Sequence, residues 1–342
     1  MMIKNNNPYY MKHGLKKLSL LVLLSAIIST IYGQGNQPKD PLAHTFSIVA
    51  RDPATGEMAV GVQSHWFSVG TLVSWGKSGV GVVATQSFVN PAYGPEGLKL
   101  MADRKNAKDA LESLLAADEG RDLRQVAFLD NNGNVSAHTG KKCIGFASHK
   151  TGPNFSVQAN MMLNDDVVPA MSKAFAENPS LPLAERVLKT LQAAQAAGGD
   201  IRGKQSAVLI VVGGEKVQQP WLDKKIDLRV DDSNEPIVEL ERLLRVHRAY
   251  EHMNKGDLAV EKNDMATALK EYDAAAKMFP DNLEMKYWKA VALANNKRMD
   301  EAVPVFLEIF KVDSNWKELT KRLPLAGLLS IPDKDLKKII DL

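Results

Sequence analysis

At 342 residues, with 45% hydrophobic and 24% charged side chains, the chain has the profile of a soluble globular protein with room for two domains. A net charge of +3, and no Lys/Arg cluster interleaved with aromatics, argue against nucleic acid as a partner. The single cysteine, Cys143, excludes an intramolecular disulfide and a thiolate-rich metal site.

The segment "MKHGLKKLSLLVLLSAIISTIYGQ" (11–34) runs from a basic head, Lys12, Lys16 and Lys17, into an apolar stretch over 18–31. That stretch is short for a membrane span of about 20 residues, and the whole resembles a secretory signal peptide with a cleavage point at Gly33-Gln34. No cysteine stands there to carry a lipid anchor, and either Met1 or Met11 serves as the start. The expectation is a periplasmic or secreted protein, free of the membrane once the signal is removed.

From 45 to 232 the pattern alternates pairs of strands with pairs of helices. "TFSIVARD" and "EMAVGVQS" flank the turn "PATG" and read as a hairpin. "GVGVVATQS" (79–87) is small and β-branched throughout, the mark of a strand buried on both faces. Helical spacing over 95–120 predicts two helices parted near Asn106. "QVAFLD" and "VSAHTG" around "NNGN" form a second hairpin, and "FSVQANMM" (155–162) is another strand. Helices over 165–177 and 182–197 follow, the second stopped by Gly198-Gly199, before strands at 205–214 and 225–232. Strand pairs and helix pairs in this order suit two facing sheets covered by helices, an α+β fold with an αββα sandwich.

After Pro236 the pattern is helical only. In the 34-residue stretch 249–282, Gly256, Ala268, Tyr272, Ala275 and Pro280 stand where a tetratricopeptide repeat needs small residues, an aromatic wedge and a helix stop. Ala290, Ala302 and Phe306 repeat the pattern, with Ser314 replacing the proline. Two such units are fewer than the roughly three needed for independent stability, so a helix over 236–248 and helices after Trp316 are expected to cap them. The expected organisation is a signal peptide (1–33), a lead-in (34–44), the sandwich (45–235) and a helical linker with repeats (236–342).

Histidines at 44, 65, 138, 149, 247 and 252 show no metal-binding spacing, and no phosphate loop, serine elbow or dinucleotide fingerprint occurs. No metal and no cofactor are indicated. Polar residues instead gather where strands end. They include Ser64 and His65 in "QSHWF", and Thr85, Gln86, Asn90 and Tyr93 in "ATQSFVNPAYGPEG". Gln158 and Asn160 share one face of "VQANMM", while Asp200, Arg202 and Gln205 sit in "GGDIRGKQS". Strand-end amides and hydroxyls either bond one another or line a pocket for a small-molecule or peptide ligand.

"HTFSIVARDPATGEMAVGVQS", "GVGVVATQSFVNPAYGPEGL", "LLAADEGRDLRQVAFLD", "FSVQANMM", "AAGGDIRGKQSAVLIVV" and "IDLRVDD" resemble the domain of unknown function 1028 family over about 45–247. That family is classed as similar to the Ntn (N-terminal nucleophile) hydrolases. The resemblance implies a four-layer αββα sandwich and a hydrolase of amide or related C–N bonds. In Ntn hydrolases the first residue of the first strand is the nucleophile and its α-amine the base; Thr45 holds that position. An α-amine titrates near 7.7–8.0, about two units below lysine, so far more of it is unprotonated at neutral pH. On this reading Ser47 is a neighbour on the same strand face, Lys77 assists proton loss electrostatically, and Gln158 and Asn160 donate to an oxyanion. Cleavage near Gln34 leaves 34–44 ahead of Thr45, so the mechanism requires a second cut at His44-Thr45. The contrasting expectation is a non-catalytic ligand-binding module whose repeats recruit a protein partner. The sequence leaves open whether the chain forms a homo-oligomer.

Overall fold

In the computed structural model, residues 41–342 are described; the expected signal peptide and the lead-in up to residue 40 lie outside them. Strands β1 (Thr45–Arg51) and β2 (Met58–Ser64) form the expected hairpin, followed by β3 (Ser74–Lys77) and β4 (Gly81–Phe88). Helices α1 (Tyr93–Ala102) and α2 (Ala107–Ala117) are parted as predicted, because the Asn106 side chain accepts from Asp109 N at 2.9 Å and caps α2. Next come β5 (Arg124–Asp130), β6 (Val135–Thr139), β7 (Ser148–Gly152) and β8 (Phe155–Ala159). Helices α3 (Val167–Glu177) and α4 (Leu183–Ala196) lead to β9 (Ser206–Val212) and β10 (Lys224–Val230).

Two antiparallel sheets result. One has the order β10-β9-β2-β1-β8-β7; in the other β3-β4-β5-β6 pair in turn, and a short strand at Ala43 also pairs with β4. Alternation along each strand divides the side chains into layers. Val49, Val60, Val62, Val82, Leu129, Val208 and Ile210 pack in one cluster between the sheets. Ile48, Val157, Leu209, Met171, Phe175, Val187 and Leu191 pack on the outer face beneath α3 and α4. Val83, Val126 and Phe128 meet Tyr93, Leu98 and Leu111 of α1 and α2. The order helix, sheet, sheet, helix is the four-layer arrangement expected from sequence.

Strands β3 and β7 escaped the sequence reading. β3 is short, and β7 is an edge strand whose residues are largely exposed, so neither carries an alternating apolar signal.

The helical region comprises α5 (Pro236–Glu261), α6 (Met265–Met278), α7 (Leu283–Asn295), α8 (Met299–Val312), α9 (Asn315–Arg322) and α10 (Asp333–Ile340). Gly256 is required at its place, since a Cβ there would meet the Tyr272 ring at 2.5 Å. Instead of a separate capping helix over 236–248, α5 runs unbroken for 26 residues. Ile237, Leu240 and Leu244 on its first half join the sandwich core, whereas Ala249, Met253 and Ala259 on its second half pack with Ala268 and Tyr272. No glycine or proline interrupts 237–248, so nothing in the sequence ends a helix there. Among the described residues no helix is long and apolar enough to cross a membrane.

Because Leu240 is fully buried in the sandwich core, Leu240→Ala is expected to destabilise the protein by about 2–5 kcal/mol. A chain ended after Asp232 should unfold at lower urea than the full chain. Equal urea midpoints would show that α5 does not support the sandwich.

Candidate functional site

The layer between the sheets changes character along its length. At the β1 C-terminal end it is apolar; at the β1 N-terminal end it holds Thr45, Ser47, Ser64, Gln86, Gln125, Ser156, Gln158 and Asn160, each with no exposed surface. Burying so many polar groups is costly unless each finds a partner. They find one another. Ser156 Oγ donates to Gln158 Oε1 at 2.8 Å, and Gln158 Nε2 donates to Ser47 Oγ at 2.6 Å. Ser47 Oγ then donates to Gln86 Oε1 at 2.6 Å, and Gln86 Nε2 to Gln125 Oε1 at 2.7 Å. Gln125 Nε2 continues to Thr139 Oγ1 at 2.9 Å and Ala159 O at 2.9 Å. Every bond in this chain points the same way, so each polarises the next.

Asn160 ties the network to the lead-in. Its Nδ2 donates to Gln125 Oε1 at 2.9 Å, which leaves Oδ1 facing His44 Nδ1 at 2.6 Å. His44 must therefore carry its proton on Nδ1, an assignment made from the bonding pattern. Its Nε2 is buried without a hydrogen-bond partner among the described residues, and burial holds the imidazole pKa below its usual value.

The His44 carbonyl receives unusual attention. Ser64 Oγ donates to it at 2.5 Å and Arg202 Nη2 at 2.9 Å. Asp200 holds that guanidinium through Nε at 3.0 Å and Nη2 at 2.7 Å, with the carboxylate side chain fully buried. The planar fork of arginine makes this pairing rigid. Asp200 and Arg202 thus pair across their loop and line the site as well. Thr45 Oγ1 donates to Ala43 O at 2.7 Å, and the Thr45 carbonyl accepts from Asn160 N at 3.1 Å.

The structure therefore gathers Thr45, Ser47, Ser64, Gln86, Gln158, Asn160, Asp200 and Arg202. Of the other expected residues, His65 and Gln205 reach this group through their backbone N–H groups, to Asp200 Oδ2 and Ser64 O, and the rest lie apart. Lys77 is exposed and pairs with Gly81, five residues along β4 from Gln86 and so about 17 Å away along the strand. It stands at the opposite end of the sandwich from Thr45. Gln158 and Asn160 spend their amide donors on Ser47 and Gln125, so as placed they hold neighbours rather than an oxyanion. Thr85 alternates to the outer face and donates to Asn90 O at 3.1 Å, while Asn90 Oδ1 accepts from Ala92 N at 3.1 Å within the turn. Tyr93 donates to Asp118 Oδ2 at 3.0 Å beneath the helices, next to Arg124. Burial and the Asp118 charge push its phenol pKa well above the usual range. His65 contributes its backbone N–H to Asp200 Oδ2 at 3.3 Å. Gln205 donates its side chain to Asp232 Oδ1 at 3.2 Å, outside the network.

His44, Gln125, Ser156 and Thr139 were not singled out from sequence. A signal existed for Gln125, which shares its strand face with Ala127 and Leu129, where an amide is out of place.

Residues 45–240, more than half of the chain, match the family model described as a family of unknown function, DUF1028. The chain belongs to the DUF1028 family. A tetratricopeptide repeat model matches residues 253–311. Among solved structures, the DUF1028 protein SPO2555 from Silicibacter pomeroyi is similar at 30% identity with a TM-score of 0.53. The match covers 59% of this chain and 88% of that one. No curated protein matches this chain. The DUF1028 match begins at Thr45 and ends at residue 240 inside α5, so it contains the polar network and the segment of α5 that reaches Leu240.

Gln125 joins Gln86, Asn160, Thr139 and Ala159, so Gln125→Leu leaves several buried groups short of a partner. The expected cost is about 2–4 kcal/mol in a denaturant titration. A loss within about 0.5 kcal/mol, the range of an ordinary surface change, would show the network to be dispensable.

The pH response also has a defined sign. His44 and His149 titrate below 6.5 in the folded chain. The unfolded chain thus binds more protons between those lowered values and 6.5, and stability falls as pH drops through that window. The slope of urea midpoint against pH should flatten in a His44→Gln, His149→Gln variant.

Proposed function

We propose that this protein is an exported hydrolase of amide or related C–N bonds in a small molecule or peptide, with Thr45 as nucleophile after cleavage of the His44-Thr45 bond. The observation that carries the reading is the double grip on the His44 carbonyl by Ser64 Oγ and Arg202 Nη2. Two donors, one cationic, are what a tetrahedral oxyanion at that carbon requires. Thr45 Oγ1 attacks the His44 carbonyl carbon through a five-membered ring, and its proton passes to the Thr45 nitrogen as the C–N bond breaks. Water then hydrolyses the resulting ester, leaving a carboxylate on His44 and a free hydroxyl and α-amine on Thr45. The amine serves as base in later turnovers, and Ser64 and Arg202 face the place that a substrate carbonyl then takes. In this scheme Ser47, Gln86, Gln158 and Asn160 position the strand ends. The helical repeats recruit a protein partner, the general role of such repeats.

One observation favours the non-catalytic alternative. Thr45 is wholly buried in the uncleaved chain, and Ala43 and His44 ahead of it are built into the fold. A ligand-binding module has no need to release them.

Intact mass of the protein isolated from its own cell envelope separates the two. A chain that begins at Thr45 is expected, with Thr45→Ala blocking cleavage and Thr45→Ser permitting it. Arg202→Met should slow cleavage by about 10²–10³, the usual cost of one lost oxyanion donor. A mature chain that retains His44, together with undiminished turnover by Thr45→Ala of any amide found to be hydrolysed, would overturn the proposal.

A further inference from the structure

The directional hydrogen-bond chain does not stop inside the protein. Beyond Gln125 it reaches Thr139 at the end of β6, and Thr139 Oγ1 lies 2.8 Å from His149 Nδ1 on β7. β6 and β7 belong to different sheets, and the loop 140–147 that joins them spans the edge between the layers. Under this loop lies an open cavity of about 490 Å³, lined by Thr139, Lys141, Phe146, Ser148 and His149 among others. Its volume is in the range of small-molecule sites.

The lining has a definite chemistry. Thr139 Oγ1 already accepts from Gln125 Nε2, so its own proton goes to His149 Nδ1. His149 is thereby fixed in the tautomer that carries hydrogen on Nε2, leaving that N–H as a donor. Lys141 adds an ammonium, and no acidic residue is among those lining the cavity. Partial desolvation of the ring, within a residue that is exposed overall, and the neighbouring His138 both disfavour a second proton on His149. On the rim, Phe146 is 55% exposed and held at φ 51°, a left-handed conformation that a bulky residue adopts only at a cost. In the same loop the Ile144 carbonyl accepts from Met161 N at 3.0 Å, directly after Asn160. An aromatic side chain is thus presented to solvent in a cavity with two hydrogen-bond donors, on a loop bonded one residue from the buried network.

We propose that this cavity is a binding subsite for an acyl-amino acid or peptide terminus, with Lys141 and His149 Nε2–H holding the carboxylate and Phe146 covering an apolar side chain. The inference deepens the amide-hydrolase reading by naming the substrate class, and it rests on that reading for the link to catalysis. The binding itself requires no nucleophile. Gln125 connects the subsite to Thr45: it bonds Thr139 on one side and, on the other, both amides that reach the Thr45 carbonyl. A continuous hydrogen-bonded path thus runs from the cavity lining to the strand end that carries Thr45.

The test uses the full chain carrying Thr45→Ala, so that failure of catalysis cannot be mistaken for failure of binding. N-acetyl-phenylalanine and its neutral methylamide are titrated separately by calorimetry, with histidine NMR signals followed in parallel. Saturable binding of the acid, at least tenfold tighter than the methylamide, with a shift of the His149 resonance, is the expected result. Lys141→Ala should abolish the preference, and His149→Ala should reduce it; both positions are exposed, so folding is retained. Equal binding of the two probes, absence of saturable binding, or a preference that survives both substitutions would overturn the subsite.

Discussion

Two sheets packed face to face must fill the space between them, and a buried polar atom in that space needs a partner. This one constraint orders the molecule. Where β1, β2, β4, β5 and β9 contribute valine, leucine and isoleucine, the sheets meet through dispersion and hydrophobic burial. Where β1, β4, β5 and β8 contribute Ser47, Gln86, Gln125 and Gln158, the sheets are joined by hydrogen bonds between side chains. No charge enters that join, so it avoids the desolvation cost of a buried ion pair. The charged pair, Asp200 with Arg202, sits at the layer's end, where Arg202 keeps some contact with solvent.

The same constraint explains what sequence could and could not disclose. Alternation announced most of the strands, and with them the sandwich, because one strand face must be apolar wherever it meets another layer. It failed at β7, which is exposed, and at β3, which is short. It failed differently for α5. The break expected there came from starting the 34-residue repeat at 249, but a helix shared by two cores can present apolar residues on different faces in its two halves and run through that boundary.

Site residues were legible to the extent that strand parity reveals them. Thr45 with Ser47, and Gln158 with Asn160, were paired because residues two apart share a face, and the register Ser47↔Gln158 sets the two pairs side by side. Which end of a strand a residue occupies in space depends on long-range pairing, and Lys77 was misplaced for that reason. Gln125 and Ser156 were overlooked because polar residues within otherwise regular strands look like solvent-facing positions until the opposite sheet is known. His44 was treated as part of a removable lead-in, although its ring and carbonyl are bonded into the site.

Within a network so fully paired, the places where pairing is uneven carry the chemical meaning. Ser47 is a hydroxyl on the same strand face as Thr45, yet it both accepts from Gln158 and donates to Gln86, leaving it no freedom to attack. Among the described residues, Thr45 Oγ1 bonds a carbonyl two residues back in its own chain and no other group. The His44 carbonyl is bonded by a hydroxyl and a guanidinium, more than an ordinary strand-edge carbonyl receives, while His44 Nε2 has no partner among the described residues. Two donors at one carbonyl and a hydroxyl in the next residue bonded to its own backbone meet at a single peptide bond. Structural satisfaction accounts for Gln86, Gln125 and Gln158; the concentration of donors at His44-Thr45 is what supports the acyl transfer proposed above.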